Sequence, residues 1–404
     1  MLKAAKSLAE AGYQVRVVST NFEPWATAAD DALRARLQLN WSVVDYSRST
    51  ANATRVRAGL RYRLCRQLVK AIGADKLPAG VVGRAMNRAS PELVSATAAE
   101  PADLIYSGGG ALLPATLAAR RLGVPYAVDL EDFHSGEQAS TTAEGRLTNA
   151  LAQAAEKIVF LEAAFITTAS EAIADQYATK YARRPLVINN TFPLPASAPE
   201  FSSRNDSVLR LYWFSQTIGP GRGLEDAVRA AGLADVRCEL HLRGRPAPGY
   251  MAELQPLALT CAPKLTVVQH DPDSPDRMVD LCCEFDVGLA LEQTEPVGRA
   301  VCLSNKAFTY ILGGLAVVFT DTPGQRALAQ DLGQGAWLYS PGDVARFAAG
   351  LKSWAEDRDK LTSARKAAWD AAHRRWHWKH PEEEGALLSA MRNTLIGKGS
   401  HANS

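Results

Sequence analysis

At 404 residues, the chain has room for two or three domains of roughly 150 residues each, which excludes a peptide or a single small module. It is 47% hydrophobic and 22% charged, enough apolar surface to offset the chain entropy lost on folding, so wholesale disorder is excluded too. Lys and Arg total 45 against 43 Asp and Glu, a formal net charge of +2; no overall field draws the chain to nucleic acid or an anionic bilayer, and such a partner must meet a local patch. Cys65, Cys238, Cys261, Cys282, Cys283 and Cys302 lack the paired spacing of zinc sites and read as reduced, mostly buried thiols. No run reaches the roughly 18 apolar residues of a membrane span, and no charged segment, apolar stretch and cleavage site open the chain. The expected location is the cytoplasm.

In chain order, Leu2, Ala5, Leu8 and Ala9 recur at helical spacing, Gly12 is placed to end that helix, and Val15, Val17 and Val18 predict a strand. Short apolar strands then alternate with helical stretches: 104–106, 127–130, 165–168 and 186–188 in the first half, and 209–214, 238–242, 265–268, 287–291 and 316–319 in the second. Such alternation predicts an α/β protein of parallel sheets covered by helices on both faces. Pro, Ser and small polar residues without periodicity mark a linker at 193–207. The expected organisation is a Rossmann-like domain at 1–192, the linker at 193–207, a second doubly wound domain at 208–380, a helix at 381–396 packing back on the first domain, and a disordered tail at 397–404.

Two such domains predict a cleft, and ligands of open parallel sheets bind outside the carboxyl ends of the strands. Glu292, Glu295, Arg299 and the run Ser304-Asn305-Lys306 lie between a predicted strand and a helix starting near Ser304. A helix start offers free backbone N–H groups and a positive dipole end to an anion; Ser304 or Asn305 would cap it, and Lys306 adds a full charge. Alternatively Ser304 is only a cap and Lys306 only solvated. Upstream, 213–224 runs from a strand into a loop containing Gly219, Gly221 and Gly223, where small residues admit a ligand to the backbone and Arg222 could clamp a diphosphate. Arg243 and Arg245 end another strand and face either the same cleft or solvent.

Taken together these pieces resemble the family 4 glycosyltransferases and their relatives, whose GT-B fold is two facing Rossmann-like domains. The resemblance is carried by SNKAFTYILGGLAVVFTDTPGQ at 304–325, by 285–289 and 340–343, and in the first half by DLIYSGGG at 103–110, PYAVDLEDFH at 125–134 and 185–190. It implies that the second domain binds a nucleotide-sugar donor, a UDP- or GDP-sugar, that the first binds the acceptor, and that no cofactor or metal is required. Under it, Arg222 and Lys306, with the Ser304 and Asn305 backbone beside them, hold the diphosphate, Gly221 and Arg243 belong to the same donor site, Thr309 and Glu292 or Glu295 approach the ribose or sugar, and Glu131, Asp132 or His134 contacts the transferred sugar. Charge grows on the diphosphate as the glycosidic bond breaks, so preorganised cations lower the barrier.

Three features depart from the family pattern. Where the family often carries a Glu-x7-Glu pair, this chain has Val301 and Thr309; where many members carry a strand-end His, it has Glu131, with His134 nearby to substitute. Relatives begin with a strand and a glycine loop before the helix that opens this chain, so a start codon placed too late is the expected cause. Between Ala51 and Met86, Arg55, Arg57, Arg61, Arg63, Arg66, Lys70, Lys76 and Arg84 face the single acid Asp75, with Leu60, Leu64, Leu68 and Val69 interleaved. This predicts a basic amphipathic helix suited to anionic lipid, an anionic acceptor or plain solvent. Near the C-terminus, Trp376 and Trp378 are expected to anchor helices that cross back onto the first domain, a better account of the surrounding His373, His377 and His380 than a metal site.

The expected function is a metal-independent, hexosyl-type glycosyltransferase, retaining by resemblance, that passes a sugar to a glycan or lipid-linked acceptor in cell-surface or exopolysaccharide assembly. It would be cytoplasmic, without nucleic-acid partners, and peripheral at the inner face of the cell membrane if 55–70 meets lipid. The alternatives are a non-catalytic partner subunit of the same fold and a nucleotide-sugar epimerase. A redox Rossmann enzyme is disfavoured because no G-x-G-x-x-G follows a strand.

Overall fold

Every strand among the described residues pairs in parallel, as buried apolar runs separated by helices require. The computed structural model describes residues 1–22, 24–46, 52–201 and 207–401, which form two compact units, 1–188 with 381–404, and 189–380. Residues 202–206 of the predicted linker and 402–404 of the predicted tail lie outside the described residues.

Unit 1 holds two sheets. β1 (Arg16–Asn21) and β2 (Asn40–Asp45) pair only with each other; β3 (Ile105–Gly108), β4 (Tyr126–Asp129), β5 (Ile166–Thr168) and β6 (Leu186–Val187) form a second sheet in sequence order. β2 is a strand that the sequence did not predict. The predicted single basic helix of 51–86 is broken: Gly73, at φ +96°, ends the helix Asn52–Ile72, a short 3-10 turn follows at Ala74–Lys76, and a second helix spans Ala79–Met86. A left-handed φ such as this costs glycine least. The helix Ala386–His401 runs through Gly397, where the composition had predicted a tail, and clusters with unit 1.

Unit 2 is built on one six-stranded sheet in the order β12-β11-β10-β7-β8-β9, with β7 (Leu209–Ile218), β8 (Cys238–Pro246), β9 (Leu265–His270), β10 (Val287–Ala290), β11 (Ala316–Thr320) and β12 (Ala336–Tyr339). The alternation of side chains along each strand separates two cores. Leu209, Leu211 and Trp213 of β7 with Ala316 and Val318 of β11 face one layer, which includes Val228, Phe347 and Trp354. Tyr212 of β7 with Val317 and Phe319 of β11 face the other, with Phe308, Tyr310 and Phe285. Both faces are therefore covered, as in a doubly wound domain. Gly288 is required there: a Cβ on it would stand 2.2 Å from the Tyr310 ring.

Of the cysteines, Cys65, Cys238 and Cys282 are buried, Cys302 is half-buried, and Cys261 and Cys283 are exposed; all six are free thiols. Burial pushes the Cys238 thiol up to about 12. The aromatic cluster near the C-terminus belongs to unit 2. Thr191 Oγ1 donates to the Trp376 carbonyl at 2.8 Å, the Trp378 N–H donates to the Phe192 carbonyl, and Trp376 Nε1 donates to Asp331. These tryptophans tie the beginning of unit 2 to its end.

Candidate functional site

In unit 2 the strand order reverses at β7, whose neighbours are β10 and β8. The loops leaving the carboxyl ends of β7 and β10 start at this switch point, where open parallel sheets take ligands. After β7 comes Gly219–Gly223, with Gly221 at φ +68° and Gly223 at φ +74°. A Cβ on Gly223 would meet Leu291 Cβ at 2.8 Å, so this glycine lets the loop close onto the one after β10. Gly223 also precedes the helix Leu224–Ala234 with no side chain capping its first turn.

Three cations meet where the loops touch. Arg299 Nη1 donates to the Gly221 carbonyl at 2.6 Å, Lys306 Nζ pairs with Glu292 Oε1 at 2.8 Å, and Arg222 makes no hydrogen bond or ion pair among the described residues. Burial and the repulsion of Arg299 lower the Arg222 pKa, with Glu292 opposing. Burial alone would raise the Glu292 pKa, but Lys306, the Ser304 hydroxyl and Arg222 hold it below the ordinary carboxylate value. One carboxylate against three cations leaves this half-buried corner with an excess of positive charge. Ser304 stands at the N-cap of the helix Asn305–Leu312 but gives no side-chain capping bond, so first-turn N–H groups stay open to an anion.

The structure gathers Gly221, Arg222, Glu292, Ser304 and Lys306 and adds Arg299, whose only signal in the sequence was its place in the same loop. It leaves others out. Arg243 is buried, donating from Nε to Tyr212 Oη at 3.0 Å and from Nη1 to the Asp271 carbonyl at 2.9 Å, so it braces β8 against the β9 loop. Thr309 is buried and donates its hydroxyl proton to the Asn305 carbonyl at 3.0 Å. Glu292 serves Lys306, and Glu295 and Asn305 are exposed. Gln325, invisible as a site residue in the sequence, is fully buried and donates to the Ala290 and Thr320 carbonyls, holding the ends of β10 and β11 together.

In unit 1 the turn after β4 carries Glu131, Asp132 and His134. His134 Nδ1 bonds the Glu137 carboxylate, while Nε2 is buried without a hydrogen-bond partner. Burial disfavours the imidazolium, yet the bond and field of Glu137, helped by Asp132 and Glu156, raise the His134 pKa above its ordinary value. Burial pushes the Asp132 carboxyl up to about 6, with Glu137 and Glu131 adding repulsion. Lys3, which the sequence did not single out, faces Glu131, Glu383 and Asp129, and burial brings it down to about 8 against their pull. The turn thus holds an imidazole and a carboxyl that both titrate above their ordinary values.

Asp132 gives a pH test. Its folded pKa exceeds its ordinary value of 3.8, so its stabilising contribution is complete below that value and is lost as pH rises through about 6. Asp132→Asn is expected to stabilise the chain by roughly 2 kcal/mol near pH 8 and to change little near pH 4. Urea melts at the two pH values check this; equal effects at both would refute it.

Residues 1–191 match the family model described as a glycosyl transferase 4-like domain. No curated protein matches the sequence. Among solved structures, Anabaena HepE in complex with UDP-glucose superposes with a TM-score of 0.63 at 15% identity, covering 95% of this chain and 99% of that one. Sucrose-phosphate synthase from Thermosynechococcus elongatus gives 0.59 at 11% identity, over 96% and 100% of the two chains. A variant of S. aureus TarM in complex with fondaparinux, alpha-GlcNAc-glycerol and UDP gives 0.58 at 11% identity over 76% of this chain, which spans 59% of the length of TarM.

Proposed function

From a chain whose residues 1–191 carry a glycosyl transferase 4-like domain and whose fold is that of GT-B glycosyltransferases, we propose an enzyme that transfers a hexosyl group from a nucleotide sugar to a glycan or lipid-linked acceptor. The observation that carries this reading is the corner of Arg222, Arg299 and Lys306 around the single carboxylate Glu292, set at an uncapped helix start. The bond from the anomeric carbon to the diphosphate oxygen breaks as the acceptor hydroxyl oxygen bonds that carbon, negative charge grows on the departing diphosphate, and the acceptor's hydroxyl proton passes to that diphosphate. Fixed cations in a half-buried corner stabilise that charge more than they stabilise the bound donor, which is what accelerates the step. We assign Asp132 and His134 to the sugar and acceptor side, His134 Nε2 being a buried polar atom without a protein partner.

The UDP and UDP-glucose complexes of HepE support a uridine donor. Retention at the anomeric carbon, catalysis without a metal, a role in cell-surface polysaccharide assembly and a peripheral position on the cytoplasmic side of a membrane belong to the same proposal. Thermal shifts with UDP, GDP, CMP, dTDP and their sugar conjugates test it. A ligand at 100 times its dissociation constant adds about 2.7 kcal/mol, so one base is expected to give a clear, selective shift. No shift with any of them would overturn the reading in favour of a non-catalytic subunit of this fold.

A further inference from the structure

At the carboxyl ends of β10 and β11 two polar side chains are fully buried: Thr320, the last residue of β11, and Gln325, in the first turn of the helix Pro323–Leu332. Gln325 Nε2 donates to Thr320 Oγ1 at 2.8 Å, and Thr320 Oγ1 donates in turn to the Glu292 carbonyl at 2.5 Å. The second N–H of Gln325 reaches the Ala290 and Thr320 carbonyls, at 3.1 Å each. Bonds in such a chain polarise one another, so they fix a geometry more tightly than separate bonds do. Stability does not account for the choice of residues. Gln325 Oε1 and the Thr322 hydroxyl at the helix N-cap are buried without hydrogen-bond partners among the described residues, and each such atom weighs against the fold.

The stretch held in this way, 290–292, serves both loops of the cation corner. Leu291 stands where a Cβ on Gly223 would meet it at 2.8 Å, so it sets the approach of the glycine loop. Glu292 Oε1 takes Lys306 Nζ at 2.8 Å, with the two side chains only 11% and 15% exposed. A lysine ammonium is a point charge on a flexible stem, so its place follows that of the carboxylate it pairs with. The carboxylate in turn follows the Glu292 backbone, whose carbonyl Thr320 anchors.

We propose that Thr320 and Gln325 are positioning residues for sugar transfer: through the Glu292 carbonyl they set the Glu292 carboxylate, and with it the Lys306 ammonium, where charge develops on the diphosphate. Both are fully buried, so they act through Glu292 and not by touching the donor. The inference rests on the donor site of the proposed function and adds the residues that hold it in place.

The test crosses packing against hydrogen bonding. Thr320→Val keeps the branched shape and removes the hydroxyl, whereas Thr320→Ser keeps the hydroxyl and removes a buried methyl group. Gln325→Met keeps the length of the side chain and removes the amide; it takes the place of Thr320→Val should that variant not fold. Thr320→Val is expected to lower kcat roughly tenfold to a hundredfold, the range for a misplaced active-site group, and to raise the donor KM by a smaller factor. Thr320→Ser is expected to recover the turnover although it melts below the wild type. Activity that follows melting temperature across the variants would overturn the proposal, because the bonds would then serve the fold alone. Unchanged kcat in both Thr320→Val and Gln325→Met would overturn it as well.

An NMR titration of the Glu292 carboxyl reads the same geometry without a donor. Burial would raise its pKa and Lys306 holds it below the ordinary value, so a displaced carboxylate loses the cation and its pKa rises. The rise is expected in Thr320→Val and Gln325→Met and not in Thr320→Ser. A carboxyl that stays put in all three would overturn the positioning role whether or not the chain turns over a nucleotide sugar. Carboxyl shifts as expected in a chain without turnover would support the positioning of Lys306 and count against the donor reading alone.

Discussion

Arg222→Ala is expected to lower turnover of the donor by roughly a hundredfold to a thousandfold, the loss typical for removing one preorganised group that stabilises a developing negative charge. The melting temperature of the unliganded chain should stay the same or rise. Arg222 makes no hydrogen bond or ion pair among the described residues, and its pKa is lowered by burial and by Arg299; the fold holds this cation at a cost, as expected of a group kept for a ligand. Lys306 is a poorer probe, because removing it strands the buried carboxylate of Glu292 and mixes a stability loss with the kinetic one. Steady-state kinetics with the base identified by thermal shift, beside calorimetry of the free protein, separate the two effects. A loss of less than threefold, or a clear drop in unliganded stability, would remove Arg222 from the diphosphate site.

Glu156→Ala is expected to destabilise unit 1 by about 3–5 kcal/mol, the cost of breaking a buried ion pair from one side. Glu156 is fully buried. It accepts from Lys180 Nζ at 3.0 Å, from the Tyr177 hydroxyl at 3.1 Å, from the Tyr181 hydroxyl at 2.7 Å and from the Ser135 N–H at 2.9 Å. The last contact matters for function, because Ser135 follows His134 in the turn after β4, and Tyr177 also contacts the Asp132 carbonyl and the His134 N–H. Glu156→Gln keeps one acceptor oxygen for these donors and removes the charge; it should lower the His134 pKa, to which Glu156 contributes a raising field. Calorimetry measures the stability and an imidazole NMR titration the pKa. A cost below 1 kcal/mol for the alanine variant would show that the network does not hold the turn.

Both experiments depend on parts of the chain that differ in how far they can be read without a fold. Strand existence was legible because β10 and β11 are short apolar runs that both faces of a parallel sheet bury. β2 and β12 were missed: their residues are mostly half-exposed, so no continuous apolar run announces them. The glycine loop and the Ser304-Asn305-Lys306 start were legible because strand, loop and helix follow one another locally, and local order is what periodicity and turn residues report.

Pairings between distant positions were not. Nothing local says that Arg243 turns to Tyr212 and Asp271, or that Arg299 reaches back to Gly221. Nor does helical spacing say which side of an amphipathic helix is covered: Leu60, Leu64 and Leu68 stand outside while Cys65 and Val69 go in against Val82 and Ala85, and Ala58 against Tyr46, Ala89 and Leu93. By itself the sequence determined the alternation of elements and the chemistry on offer in each loop, since these rest on residues close in the chain. Only the tertiary structure decided which cations lose their partners and which are spent on the fold, because burial and pairing are set by residues that folding brings together.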